Sequence, residues 1–158
     1  MQNTPSTVAI FAALGSAALL GGAFMFQALG YQPCAMCLWQ RWPHAIAITV
    51  GILLLFGIRN IVLYLVGFLS AGTTAALGLF HTGVERDWWE GPTSCTGSGL
   101  SSALEGLLPS SNDTGPGIVM CDEVVWEFLT LSMASWNAVF SVGLVVLWLV
   151  AIKKQSRK

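Results

Sequence analysis

The chain has 158 residues, of which 54% are hydrophobic and only 9% are charged, with a formal net charge of −1. Ordinary soluble domains carry roughly 25% charged residues, so this one lacks the polar material to cover a water-facing surface. The composition specifies an integral membrane protein, and the absence of a basic run outside the C-terminal tail excludes a nucleic-acid partner.

A bilayer span needs about 20 apolar residues, and four segments qualify. The first runs from about Val8 to Leu29, with Gln27 its only strongly polar side chain. Lacking a basic leading region and exceeding the usual length of a signal-peptide core, it is expected to be a retained helix. The second runs from about Trp39 to Ile58 and carries Arg41 near one end; the third runs from about Ile61 to Phe80 without a charge. Arg59 and Asn60 alone separate them, which predicts a tight helical hairpin. The fourth runs from about Trp136 to Ile152. The expected fold class is therefore all-α, a four-helix transmembrane bundle forming one integral domain over residues 1–158. Gly15, Gly21, Gly22, Gly72 and Gly78 are small residues that let spans pack closely, and Trp39, Trp42 and Trp136 fit interfacial anchors.

Basic residues orient the bundle. Arg59, Lys153, Lys154, Arg157 and Lys158 fall on one side of a four-pass arrangement, and only Arg41 and Arg86 on the other. Positive residues mark the cytoplasmic side, so both termini are expected there. The outer loops, about 30–38 and 81–135, then hold every cysteine: Cys34, Cys37, Cys95 and Cys121. The longer loop divides further. A Gly91-Pro92 turn signal leads to Cys95, and Leu100, Leu104, Leu107 and Leu108 recur at helical spacing, as in a short surface helix. Ser110 to Gly117 has the composition of a mobile segment, so Cys121 behind it is expected to move more freely than Cys34 or Cys37.

Four cysteines in an oxidising compartment are expected to pair, and four allow three connectivities. The favoured resting pairs are Cys34 with Cys37, at the two-residue spacing of redox-active thiols, and Cys95 with Cys121. Taken alone, the second pair reads equally as an ordinary stabilising disulfide worth about 3 kcal/mol. Cys34 and Cys37 sit where the second helix begins, at the positive end of its dipole, with Arg41 one turn beyond Cys37. Both features are expected to favour ionisation of Cys37, although an arginine there could also simply snorkel to lipid phosphates. No metal centre is expected, because a four-thiolate site would need a second close-spaced pair; a copper(I) site from Cys34, Met36 and Cys37 is the weaker alternative. His81, at the outer end of the third span, is preferred over His44 as a donor to a bound acceptor, against the plainer reading of both as polar interface residues.

The ordered motifs Cys34-Ala-Met-Cys37-Leu-Trp-Gln-Arg41, His81-Thr-Gly-Val-Glu-Arg-Asp-Trp-Trp-Glu-Gly-Pro-Thr-Ser-Cys95 and Cys121-Asp-Glu-Val-Val-Trp126-Glu-Phe-Leu129 resemble the DsbB family, the quinone-linked disulfide-generating proteins of bacterial inner membranes. The resemblance covers nearly the whole chain. It implies a relay: a reduced thioredoxin-like partner of the DsbA type attacks Cys95, Cys121 is released and attacks Cys34, and Cys37 passes electrons to ubiquinone or menaquinone. It further implies that Cys37, Arg41 and His81 form the quinone site, with Arg41 holding a quinone oxygen and His81 nearby. Two other readings compete. A vitamin-K-epoxide-reductase-like protein shares the four-span layout, but in that family the loop pair precedes the active pair. A non-enzymatic scaffold would use both disulfides only to stabilise its loops.

Overall fold

In a computed structural model, residues 4–92 and 120–157 are described. Four helices form among them: α1 (Thr4–Ala28), α2 (Ala35–Leu55), α3 (Ile61–Glu85) and α4 (Met133–Gln155), with a two-stranded hairpin of β1 (Glu127–Phe128) and β2 (Leu131–Ser132) ahead of α4. Each helix packs against its chain neighbours and α4 closes back on α1, so the four form a ring with α1 diagonal to α3 and α2 diagonal to α4. Three of them, α1, α3 and α4, are long and apolar enough to cross a membrane. Large apolar side chains face outward on all four, among them Phe11, Trp42, Leu69 and Val139. Such a surface suits lipid and not water.

The half of the bundle nearer the two termini is an apolar core. Tyr64 and Trp148 are both 0% exposed and meet edge-to-face, packed with Ala9, Val50, Leu54 and Leu144. The Tyr64 hydroxyl, which would be costly to bury alone, shares a hydrogen bond with the Ser6 hydroxyl at 3.1 Å. Gly78 lets α3 approach α4 closely: a Cβ there would lie 3.1 Å from Ala138 and 3.2 Å from the Ala134 carbonyl oxygen.

Helix limits depart from the sequence expectation in ways that matter for the site. α2 starts at Ala35 because Cys34 caps it, and it ends at Leu55, so residues 56–60 and not Arg59-Asn60 alone make the connection to α3. Asn60 then caps α3 by accepting from the Val62 N–H. α3 continues past Phe80 to Glu85, which places His81 inside the helix and not in the loop. The hairpin was not expected. Its turn residues Leu129 and Thr130 have φ of 51° and 62°, a left-handed pair that closes a two-residue loop without the usual Asn or Gly. The surface helix about Leu100–Leu108, the Ser110–Gly117 segment and Cys95 lie outside the described residues.

Candidate active site

Cys34 occupies the capping position of α2, with extended backbone (φ −77°, ψ 173°), and its Sγ accepts the Cys37 backbone N–H at 3.3 Å. Sulfur here fills the place that Ser, Thr or Asp oxygen fills at most helix starts. The Cys34 thiol donates in turn to Cys37 Sγ at 3.1 Å. The two sulfurs then split in character. Donating to Cys37, together with burial, pushes the Cys34 thiol up to about 12. Accepting that same hydrogen bond holds Cys37 below the ordinary thiol value, against the opposing effect of burial. Cys34 is 4% exposed and Cys37 is partly exposed. The expectation that Arg41 would ionise Cys37 is corrected here: the hydrogen bond from Cys34 is the leading cause.

Behind the sulfurs, a hydrogen-bonded chain runs between α2, α3 and α4. His81 Nε2 lies 3.6 Å from Cys34 Sγ, and its Nδ1 lies 3.0 Å from Gln40 Nε2. Gln40 Nε2 also donates to the Met36 carbonyl at 3.2 Å, which fixes the amide's orientation, because a backbone carbonyl only accepts. Gln40 Nε2 therefore donates to His81 Nδ1, and the His81 ring carries its hydrogen on Nε2, toward Cys34. Asn137, reaching in from α4, donates through Nδ2 to Gln40 Oε1 at 2.6 Å and to Thr74 Oγ1 at 3.1 Å. On the other side of His81, Glu85 Oε1 is 3.8 Å from Nε2, and the Glu85 carboxylate accepts a hydrogen bond from Ser132 at the end of the hairpin.

Arg41 turns the other way, toward α1. Its Nη1 donates to Gln27 Oε1 at 2.7 Å, and its guanidinium carbon stands 4.8 Å from the centre of the Phe24 ring. Its Nε is buried and has no hydrogen-bond partner among the described residues. Gln27, noted in the sequence only as the one polar interruption of the first span, thus positions the arginine.

A cavity of about 400 Å³ opens between α1, α2, α4 and the hairpin, and Cys34, Cys37, Arg41, His44, His81 and Asn137 all border it. Phe26, Trp126, Trp136 and Phe140 supply much of its apolar wall. Its size and its apolar walls with few polar groups are those of a small-molecule site. A quinone head group, flat and apolar with polar oxygens, fits such walls, and the unpartnered Arg41 Nε suits an oxygen of that kind.

Of the sequence candidates, Cys34, Cys37, Arg41 and His81 come together around this cavity. Cys121 stands beside Cys34: it is 1% exposed and packs in one cluster with Cys34, Met36 and Val84. Expected to move more freely than Cys34 or Cys37, it is in this structure packed as closely as Cys34. Gln40, Thr74, Glu85 and Asn137 were missed. The available signal was their polarity within or beside apolar spans, since a polar group there must find a partner. The ligand atoms of Cys34, Cys37 and His81 do lie within 4.8 Å of one another, as a metal site would require. Two considerations favour a thiol site: a structural zinc takes four such ligands, and the His81 nitrogen facing the sulfurs carries a hydrogen.

Comparison with known proteins gives a concordant picture. The family model described as Disulfide bond formation protein DsbB matches residues 5–151. A Disulfide bond formation protein B of Xanthomonas oryzae pv. oryzae is 33% identical over 156 residues, covering 92% of this chain and 88% of the relative. Its counterpart in Xanthomonas axonopodis pv. citri is 35% identical, covering 85% and 82%, and that of Aeromonas hydrophila is 28% identical, covering 84% and 79%. No solved structure matches the chain. A match across nearly the whole sequence, on a helical chain whose Cys34 and Cys37 border one cavity, shows that this chain belongs to the DsbB family of disulfide bond formation proteins.

Proposed function

We propose that this chain reoxidises a thioredoxin-like partner of the DsbA type and passes the electrons to ubiquinone or menaquinone in the bacterial inner membrane. The observation that carries the reading is the convergence of Cys34, Cys37, Arg41 and His81 on one apolar-walled cavity, with Cys121 packed beside Cys34. In this reading all four helices span, with both termini cytoplasmic and the cysteines outside. α2 is long enough at 21 residues, and its Gln40 and His44 are buried against the other helices, out of contact with lipid.

The partner's dithiol would attack Cys95, releasing Cys121 as a thiolate. Cys121, packed beside Cys34, then attacks the Cys34–Cys37 disulfide. Attack on Cys34, which shares a buried cluster with Cys121, expels Cys37. The exchange therefore runs through Cys34 and places the free thiolate on Cys37, in the first turn of α2 and bordering the cavity. His81 directs its Nε2–H at Cys34, the sulfur under attack. Arg41, held by Gln27, would bind an oxygen of the ring. When bound, a quinone supplies an acceptor for the two electrons and two protons that the dithiol gives up.

The test is turnover by purified full-length protein in detergent. Oxidation of a reduced DsbA-type partner should require added quinone and vanish in Cys37→Ala. Turnover that proceeds without quinone would refute the reading.

A further inference from the structure

His44 is 3% exposed, borders the cavity, and has no part in the relay above. Its tautomer can be read from the hydrogen-bonded chain, because that chain is tied at two backbone carbonyls. Gln40 Nε2 donates to the Met36 carbonyl, so Gln40 Oε1 is the acceptor for Asn137 Nδ2. The Thr74 hydroxyl donates to the Gln40 carbonyl at 3.4 Å, so its oxygen is left to accept. His44 Nε2 lies 2.9 Å from Asn137 Oδ1 and 3.2 Å from Thr74 Oγ1, and both of these can only accept. Nε2 must therefore carry the hydrogen. In a neutral imidazole that leaves Nδ1 as a bare lone pair, and this atom is buried with no partner among the described residues.

We propose that His44 Nδ1 is a binding position for a hydroxyl of an aromatic diol in this cavity, so that the site holds the reduced, dihydroxy form of a quinone ring more tightly than the dione. The inference rests on the quinone reading of the cavity and deepens it. A buried acceptor left unmet is costly, and a hydroxyl relieves it. A carbonyl oxygen cannot, since both atoms accept. The same amide chain thus sets two histidines to opposite tasks. His81 presents a donor to sulfur, and His44 presents an acceptor to the ring. Asn137 and Gln40 are positioning residues for both.

The chain contains only two histidines, so ¹⁵N-histidine labelling of the full-length protein in detergent micelles resolves both rings. The His44 ring should be neutral with its hydrogen on Nε2, and the test is read at that ring. The dihydroxy form of a short-chain ubiquinone should shift the His44 Nδ1 resonance, assigned by its loss in His44→Gln, and the dione form should not. His44→Leu should lose about tenfold in affinity for the diol, or about 1.4 kcal/mol, with dione affinity unchanged. That selective loss would lower the midpoint potential of the bound two-electron couple by about 30 mV. His44→Gln should recover most of it, because its amide offers both a donor to Asn137 and an acceptor to the ring. Hydrogen on Nδ1 of the wild type, or equal losses for both ring forms, overturns the inference while leaving the quinone reading standing. Wild-type protein that binds neither form overturns both. If His44→Leu does not fold, the wild-type spectra decide alone.

Discussion

The bond between Gln40 and Asn137 is the joint of the buried chain, and a double-mutant cycle measures it. Asn137 Nδ2 meets Gln40 Oε1 at 2.6 Å, and that oxygen has no other hydrogen bond among the described residues. Asn137→Leu alone strands Gln40 Oε1 and removes one of the two acceptors of His44 Nε2. A stranded buried acceptor costs about 1–3 kcal/mol. Gln40→Leu alone strands the Met36 carbonyl less, because that group keeps its helical bond, but takes the donor from His81 Nδ1. Replacing both amides removes donor and acceptor together, so the double variant should cost less than the sum of the two single ones. Hydrogen bonds between membrane helices average about 0.6 kcal/mol of coupling with a maximum near 1.7. For a short bond with its Gln40 side buried we expect about 1–1.5 kcal/mol, toward the upper end of that range. Denaturant titration of the four proteins in one detergent gives the coupling directly. Stabilities that add to within about 0.3 kcal/mol would refute the reading of this pair as the joint of the network.

Three further outcomes are expected. In reduced protein, Cys37 should be alkylated at pH values below the ordinary thiol range, since the reaction follows the thiolate and its pKa is lowered, while Cys34, pushed up to about 12, stays unreactive; Cys34→Ala should move the Cys37 profile to higher pH. Gly78→Val should cost about 1–3 kcal/mol by forcing α3 from Ala134 and Ala138, whereas Gly72→Ala, with nothing within 4 Å of the added carbon, should stay within about 1 kcal/mol of the parent in the same titration. Gln27→Leu should leave Arg41 without its hydrogen-bond partner on α1 and raise the KM for quinone about fivefold with kcat changed less, and an unchanged KM would detach Arg41 from ring binding.

The four helices were legible because apolar runs of bilayer length have few other uses. Their ends were less so. α3 runs on to Glu85 because His81, Thr82 and Glu85 find partners inside the protein, and a hydropathy reading stops where polar residues begin. The hairpin carried no turn signal, as Leu129 and Thr130 are residues that ordinarily avoid positive φ. At the site, Cys34, Cys37 and Arg41 could be read from spacing within one helix turn or two. The Gln40–Asn137 pair could not: the two residues stand 97 positions apart, and nothing local links them. Arg41 shows the limit of spacing arguments even at short range. Its place one turn beyond Cys37 suggested a charge pair, and the side chain instead reaches α1.

The division of labour between the two sulfurs follows from their places at one helix start. Cys34, as the capping residue, has its sulfur turned back over the first turn, where it receives the Cys37 N–H and meets His81 and the Cys121 cluster. Cys37, inside the first turn, borders the cavity and receives the Cys34 thiol hydrogen. One sulfur is therefore buried with its thiol pushed up, and the other is held below the ordinary thiol value beside the cavity. The proposed relay needs that asymmetry of place. Two equivalent sulfurs in a disulfide could be attacked at either one, and half the encounters would leave the thiolate on the side away from the acceptor. The Cys-Ala-Met-Cys spacing supplies it with no residue beyond the motif, because the residue that caps a helix and the one three places on share a hydrogen bond but not an environment. Moving the cap by one position should abolish the bias: inserting an alanine between Met36 and Cys37 should leave the two sulfurs of the oxidised pair equally open to attack by a small thiol. A retained preference for attack at Cys34 would trace the asymmetry to His81 and the Cys121 cluster instead of the cap.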